Sequence, residues 1–207
     1  MNKKHQSIIY KNIYIYRLIM YFYTHGKYFK DYHMIFSLIP SNSKKVIELC
    51  FGDVYLANIC KQNNIDWTGY DISDYFVEHA KMKNFNAIKA NLHEYKISGD
   101  CDVVIISRSL YQFNDILDDF FKDILKCSKN IIICESLKSF GNSKNKFFRR
   151  IAKYLTHSGD SKHVFRYNED SILNDIDYLC NKFSLIVKRK IMMSDSRQNV
   201  FLLLQKT

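Results

Sequence analysis

Between the turn-forming Ser98-Gly99-Asp100 and Arg108 lies the run CDVVIIS, Cys101–Ser107, apolar and β-branched through its middle. A strand with one wet face alternates apolar and polar residues; this one does not, so both of its faces are buried. Such strands belong at the centre of a parallel sheet, whose neighbours must be joined by crossovers, usually helical. The chain supplies that alternation on both sides. A strand is expected from Val46, a helix through Tyr55–Cys60, a strand DWTGYDIS ending at Asp71, and a helix from Ser73-Asp74 to about Lys83 with those two residues as its cap. Asn86–Ala90 reads as a short strand, Asp115–Cys127 as a helix and Asn130–Glu135 as another strand. Leu137–Asn145 is irregular, Phe147–Leu155 and Asp170–Lys182 have helical spacing, and Thr156–Asp160 reads as a loop between them. FSLIVKRKIMM and NVFLLLQK close the chain as two strands of an antiparallel hairpin. The fold class is therefore α/β, a three-layer sandwich with helices on both faces of a seven-stranded, mostly parallel sheet.

Val46 to Val54, VIELCFGDV, is where the first strand breaks at Gly52 and passes into a helix. A strand, tight turn and helix leave free backbone N–H groups at the helix start. Little side-chain bulk surrounds the glycine, so a ligand can approach the main chain. About twenty residues on, the second strand ends in Asp71, an offset at which an acid can accept hydrogen bonds from the two hydroxyls of a ribose.

Glu48-Leu49-Cys50-Phe51-Gly52-Asp53-Val54 resembles the E/D-x-G-x-G-x-G loop of the class I S-adenosylmethionine (SAM)-dependent methyltransferases, and Tyr70-Asp71-Ile72-Ser73 resembles their acidic second-strand motif. Cys50 and Val54 stand where that family has glycine, so the loop is degenerate and the β-branched Val54 is expected to narrow it. The resemblance spans about 160 residues, from Val46 to the end, and implies a Rossmann-like sheet of order 3-2-1-4-5-7-6 with the last strand antiparallel. It also implies SAM as cofactor, with contacts from Glu48, Cys50, Gly52, Asp71, Ile72, Ser107 and Arg108. Asn91 falls where the family has an Asp or Asn for the adenine amino group, and Leu92 is placed to pack on the ring.

Residues 1–40 form an N-terminal extension ahead of the sheet domain, 41–207. Residues 5–24 and about 28–39 read as two helices separated around Thr24-His25-Gly26 and ended by Pro40, the only proline; Ile13-Tyr14-Ile15-Tyr16 alternates, which keeps strand open there. In the resembled family such a segment commonly closes over the cofactor. Lys11 and Arg17 interrupt the apolar stretch, which argues against a membrane span and leaves an interfacial helix, with those cations at phosphate level and tyrosines at the headgroup boundary, as a further reading. No signal-peptide pattern opens the chain, and six cysteines without a C-x-x-C pair read as buried thiols, so a soluble, cytoplasmic protein is expected. The positive charge is localised. Residues 1–45 and 138–166 each hold eight Lys/Arg against one acid, while the remainder is net acidic. Two basic blocks on an acidic body favour an anionic acceptor, an anionic membrane surface or nucleic acid over a neutral partner.

A SAM sulfonium activates its own methyl group, so the protein must chiefly align the acceptor in a desolvated pocket. Tyr111, His157 and His163 are the candidate proton acceptors, and Arg149, Arg150 and Arg166 the candidate anchors for an anionic acceptor. No carboxylate cluster marks a metal site. A small-molecule or lipid-linked acceptor is expected. The alternatives are a binding protein with a degenerate methyltransferase fold and a nucleic-acid methyltransferase, although SRSLYQF lacks the proline of the N/D-P-P-Y/F signature. A dinucleotide-binding dehydrogenase would want more than one glycine between Cys50 and Tyr55, and Tyr23-x-x-x-Lys27 precedes the first strand. No sequence feature fixes an oligomeric state.

Overall fold

The computed structural model describes residues 12–24, 26–137, 165–193 and 198–207. The expected helix Phe147–Leu155, the loop Thr156–Asp160 and all but the first residue of the irregular Leu137–Asn145 lie outside the described residues. The elements run α1 (Ile13–Tyr23), α2 (Tyr28–Leu38), β1 (Lys45–Leu49), α3 (Tyr55–Gln62), β2 (Asp66–Asp71), α4 (Asp74–Met82), β3 (Asn86–Lys89) and β4 (Val103–Ser107). A 3-10 helix (Leu110–Ile116), α5 (Leu117–Cys127), β5 (Asn130–Ser136), α6 (Glu169–Phe183), β6 (Leu185–Met192) and β7 (Asn199–Lys206) follow.

The seven strands form one sheet of order β3-β2-β1-β4-β5-β7-β6, with β1 to β5 parallel and β7 antiparallel to both β5 and β6. This is the order the resemblance implied. β4 lies at the centre, with Val103, Val104, Ile105 and Ile106 all fully buried, as its unbroken apolar run requires. Strand periodicity splits the core in two. Ile47, Leu49, Val104, Ile106, Ile131 and Ile133 face α5 and α6; Val46, Val103, Ile105, Ile132 and Cys134 face the layer of α1 to α4.

Two helix starts illustrate how local chemistry sets the frame. In α5, Leu117, Phe120, Phe121, Ile124 and Cys127 recur at three and four residues and form its buried face. Helical geometry of the α type begins only at Leu117 because the two turns before it are wound as the 3-10 helix, so the predicted start at Asp115 falls inside that tighter segment. α6 starts with a capping box, Asn168 Oδ1 accepting from Ser171 N at 2.8 Å while Ser171 Oγ accepts from Asn168 N at 2.9 Å. Ser73 occupies the N-cap position of α4, but its side chain makes no cap hydrogen bond; its backbone N–H turns to Asp71 instead.

Candidate functional site

Open α/β sheets bind ligands beyond the carboxyl ends of their strands, and at that edge β1, β2, β4 and β5 here deliver a cluster of buried polar groups. After β1 the chain turns through Cys50 at φ +54° and Gly52 at φ +58°. Cys50 keeps the left-handed conformation that glycine would adopt, at roughly 1–2 kcal/mol of backbone strain. The turn is held by Cys50 N donating to Tyr70 O at 2.7 Å. Val54, expected to narrow the loop, is fully buried beneath it at the start of α3. Arg108, directly after β4, is also left-handed at φ +55°. The other non-glycine residues of positive φ among the described ones, Asn64, Asn84, Ser184 and Gln198, lie in connecting turns. Strained residues on adjoining strand ends are a mark of a functional edge.

Asp71 closes β2 and stands over this turn. Its Oδ2 accepts from Gly52 N at 2.9 Å and its Oδ1 from Ser73 N at 2.8 Å. Burial raises its carboxyl to about 6 against the pull of those N–H donors. Ile72 adds a backbone N–H to the same carboxylate. Next to it, Glu48 is fully buried, its Oε2 accepting from the Trp67 indole at 2.8 Å and its Oε1 without a hydrogen-bond partner among the described residues. Burial pushes the Glu48 carboxyl well above the usual carboxylate range, against the pull of the Trp67 N–H.

Two ion pairs tie the N-terminal helices onto this edge. Arg17 of α1 donates through Nε and Nη2 to Asp53 Oδ2 and Oδ1, both at 2.8 Å, and Tyr28 Oη reaches Asp53 Oδ2 at 3.3 Å. Arg17 is thus turned into the protein rather than toward a phosphate level, correcting that part of the interfacial reading. Arg108 Nη2 donates to Asp31 Oδ2 of α2 at 2.5 Å, and the same oxygen accepts from Asn199 Nδ2 of β7 at 3.0 Å. The Arg108 guanidinium lies 5.9 Å from the ring centres of both Tyr28 and Tyr32. Tyr16 fills the space over the turn: a Cβ at Gly52 would meet its hydroxyl at 2.6 Å.

Toward β5, Glu135 accepts from Leu110 N at 2.6 Å and from the Tyr111 N–H, and burial raises its carboxyl to about 7. The Arg166 guanidinium stacks on the Tyr111 ring at 3.7 Å. Sequence reading placed Tyr111 and Arg166 in separate roles; the fold brings them together. Among the described residues Ser107 Oγ is buried without a hydrogen-bond partner, as is Arg108 Nε. Asn91 is bent into a local turn, its Oδ1 accepting from His93 N at 3.2 Å, and Leu92 is buried in the core on the α5 side. His157, His163, Arg149 and Arg150 lie outside the described residues. Sequence reasoning missed Tyr16, Asp31, Asp53 and Glu135. For Asp53 and Glu135 a signal existed, an acid next to the loop glycine and an acid ending the apolar IIIC run. A groove of about 830 Å³ lies at the opposite edge, between the starts of β1, β2 and β3, lined by Lys45, Asp66 and Asn86 among others.

No protein-family model and no curated protein matches the sequence. Solved structures match the fold. The mitomycin 7-O-methyltransferase MmcR superposes at TM-score 0.65 and 11% identity over 97% of this chain, which spans 60% of that protein. The methyltransferase domain of bacterial CtHen1-CN gives TM-score 0.63 at 16% identity, covering 85% of this chain and 97% of the domain. Magnesium protoporphyrin IX methyltransferase (ChlM) from Synechocystis PCC 6803, with bound S-adenosylhomocysteine, gives 0.61 at 15% identity, covering 86% and 84%. The chain has the class I, Rossmann-like fold of the SAM-dependent methyltransferases.

Proposed function

We propose that this chain is a SAM-dependent methyltransferase that modifies a small-molecule or lipid-linked acceptor. One observation carries the reading: an acidic acceptor, Asp71, is held by the Gly52 and Ser73 N–H groups beside a left-handed turn, at the carboxyl edge of a sheet with this strand order. The S-adenosylhomocysteine bound in the similar ChlM structure, which is SAM without its methyl group, supports SAM as the ligand.

The residues present fit such a ligand. Each Asp71 oxygen has a backbone donor but keeps lone pairs for hydroxyl groups. Gly52 puts no side chain in the way, and what lies over it is the end of the Tyr16 side chain, carried on α1. Asp71, the Cys50–Gly52 turn and Asn91 would hold the cofactor; bound there, SAM supplies a methyl group already activated on sulfur. The protein's own part is orientation and exclusion of water. Tyr111 would accept a proton from the acceptor, and Arg166 would anchor an anionic group beside it. Glu135 fixes the turn that carries Tyr111 through the two N–H bonds it accepts. His157, His163, Arg149 and Arg150 lie outside the described residues and stand as candidates for the acceptor side from the sequence alone.

A second reading, a methyltransferase-fold protein that does not bind SAM, draws on Tyr16 standing over Gly52. Calorimetric titration separates the two: heat of binding with SAM, lost in Asp71→Ala, supports the enzyme. A parent that binds no SAM up to millimolar concentration sinks it. Supplying methyl-labelled SAM with cell extract would then identify the acceptor by the metabolite that becomes labelled.

A further inference from the structure

α1 has two working faces, and the cofactor reading uses only the inner one. Outward, it exposes Tyr14 (77%), Leu18 (56%) and Phe22 (68%), with Ile15 and Tyr21 exposed beside them. At about 100° per residue these five side chains fall within an arc of about 120°, a continuous apolar and aromatic stripe. The opposite face is spent on the protein: Ile13 is buried, Tyr16 lies against Phe76 at 4.9 Å between ring centres, and Arg17 pairs with Asp53. The helix therefore owes its exposed stripe nothing for packing. Five large apolar side chains facing outward on eleven residues form a patch that a monomer rarely leaves bare.

The charge of the surrounding sequence points to what covers it. No acid precedes Asp31 in the chain, and Asp31 is buried against Arg108. Lys3, Lys4, Lys11, Lys27 and Lys30 flank α1 in sequence. A protein partner matched to so apolar a stripe would gain little from a surround of one sign, whereas an anionic bilayer offers acyl chains and phosphates together. Tyrosine suits that boundary, its ring apolar and its hydroxyl wet. At eleven residues α1 is about 16 Å long, half of a hydrocarbon core, and among the described residues no helix is long and apolar enough to cross a membrane. The helix would lie in the interface plane.

We propose that α1 docks this protein on an anionic lipid surface through Tyr14, Leu18 and Phe22, the excess of lysine over acid in this part of the sequence favouring an anionic over a neutral surface. The inference concerns binding and does not depend on the transfer chemistry. Its experiment is co-sedimentation of the full chain with vesicles of phosphatidylcholine containing roughly one-third phosphatidylserine, and with phosphatidylcholine alone. The parent should partition to the mixed vesicles at least about tenfold better than to neutral ones, and added salt should release it. Leu18→Ser/Phe22→Ser removes two exposed apolar side chains; it should lower that partition about tenfold or more while leaving the melting temperature and SAM titration at parental values. Equal partition to both vesicle types, or undiminished binding by the double variant, would overturn the proposal. So would a parent that sediments as a dimer which the same variant dissociates, since the stripe would then be an interface between copies. SAM binding is read separately, so loss of one reading leaves the other standing.

Discussion

Arg17 and Asp53 offer the sharpest test of whether α1 is fastened over the glycine turn. Asp53 is fully buried, and both its oxygens are held by one guanidinium at 2.8 Å. Breaking a buried pair on one side strands the other charge, at about 3–5 kcal/mol. Arg17 keeps 31% of its side chain exposed, so water reaches part of the vacated site, and Tyr28 Oη at 3.3 Å remains as a donor. Arg17→Met is therefore expected to weaken the closure of α1 by about 2–3 kcal/mol, and the coupling with Asp53→Asn in a double-mutant cycle should be of similar size. The measurement is amide hydrogen exchange. If α1 opens as a local unit, its amides should exchange about 30 to 150 times faster in Arg17→Met, while those of β4 keep parental rates. Parental protection of Ile15–Tyr23 in the variant, or a coupling below about 0.5 kcal/mol, would refute the assignment of this pair as the fastening.

Gly52→Ala should lose about 1–2 kcal/mol, or roughly 2–8 °C in melting temperature, from a Cβ at positive φ; adding Tyr16→Phe should recover only the part due to the hydroxyl contact, and an unchanged melting curve would count against the turn geometry. Asp71 has a raised pKa, so its ionised form is lost as pH falls through about 6. SAM affinity should drop across that range, and Asp71→Asn should bind weakly and show no such dependence; a parent whose affinity is flat from pH 7 to 5 would contradict the role. Glu135 has a folded pKa of about 7 against an ordinary value of 4.5, so the native state holds the extra proton and this group's contribution to stability falls as pH rises between those values. Glu135→Gln should remove about 3 kcal/mol of that fall, read by urea unfolding at pH 5 and pH 8. Arg166→Gln should raise the KM for the acceptor and leave SAM affinity unchanged; an unaltered KM would reduce Arg166 to a packing partner of Tyr111.

What the sequence displayed was local. β4 was legible because an apolar run without alternation has few other fates, and the faces of α5 were legible because Leu117, Phe120, Phe121 and Ile124 repeat at helical spacing. The strand order was not legible from periodicity; it came with the resemblance carried by Gly52 and Asp71. The partners of charged residues were hidden because they are distant in the chain: Arg17 meets Asp53 over 36 positions, Arg108 meets Asp31 over 77. Reading Arg17 as an interfacial cation assumed that a charge in an aromatic helix must face out. Glu48 was legible as part of the loop motif, but its raised pKa follows from complete burial and from Asp53 and Asp71 nearby, with the Trp67 indole pulling the other way, and only the fold assembles that setting. Cys50 was visible as a missing glycine; that the backbone retains the left-handed turn without it was not.

Tyr16 over Gly52 means that the affinity measured for a cofactor is not the affinity of its contacts. If the covered form is favoured by about 2–3 kcal/mol, only about one molecule in 30 to 150 is competent at any moment, and the apparent dissociation constant rises by that factor. Arg17→Met would then bind SAM more tightly than the parent even though it removes a contact. The same equilibrium joins the two sides of α1: a surface that prefers the helix uncovered from Gly52 would tighten SAM, and SAM would tighten attachment to that surface by an equal factor.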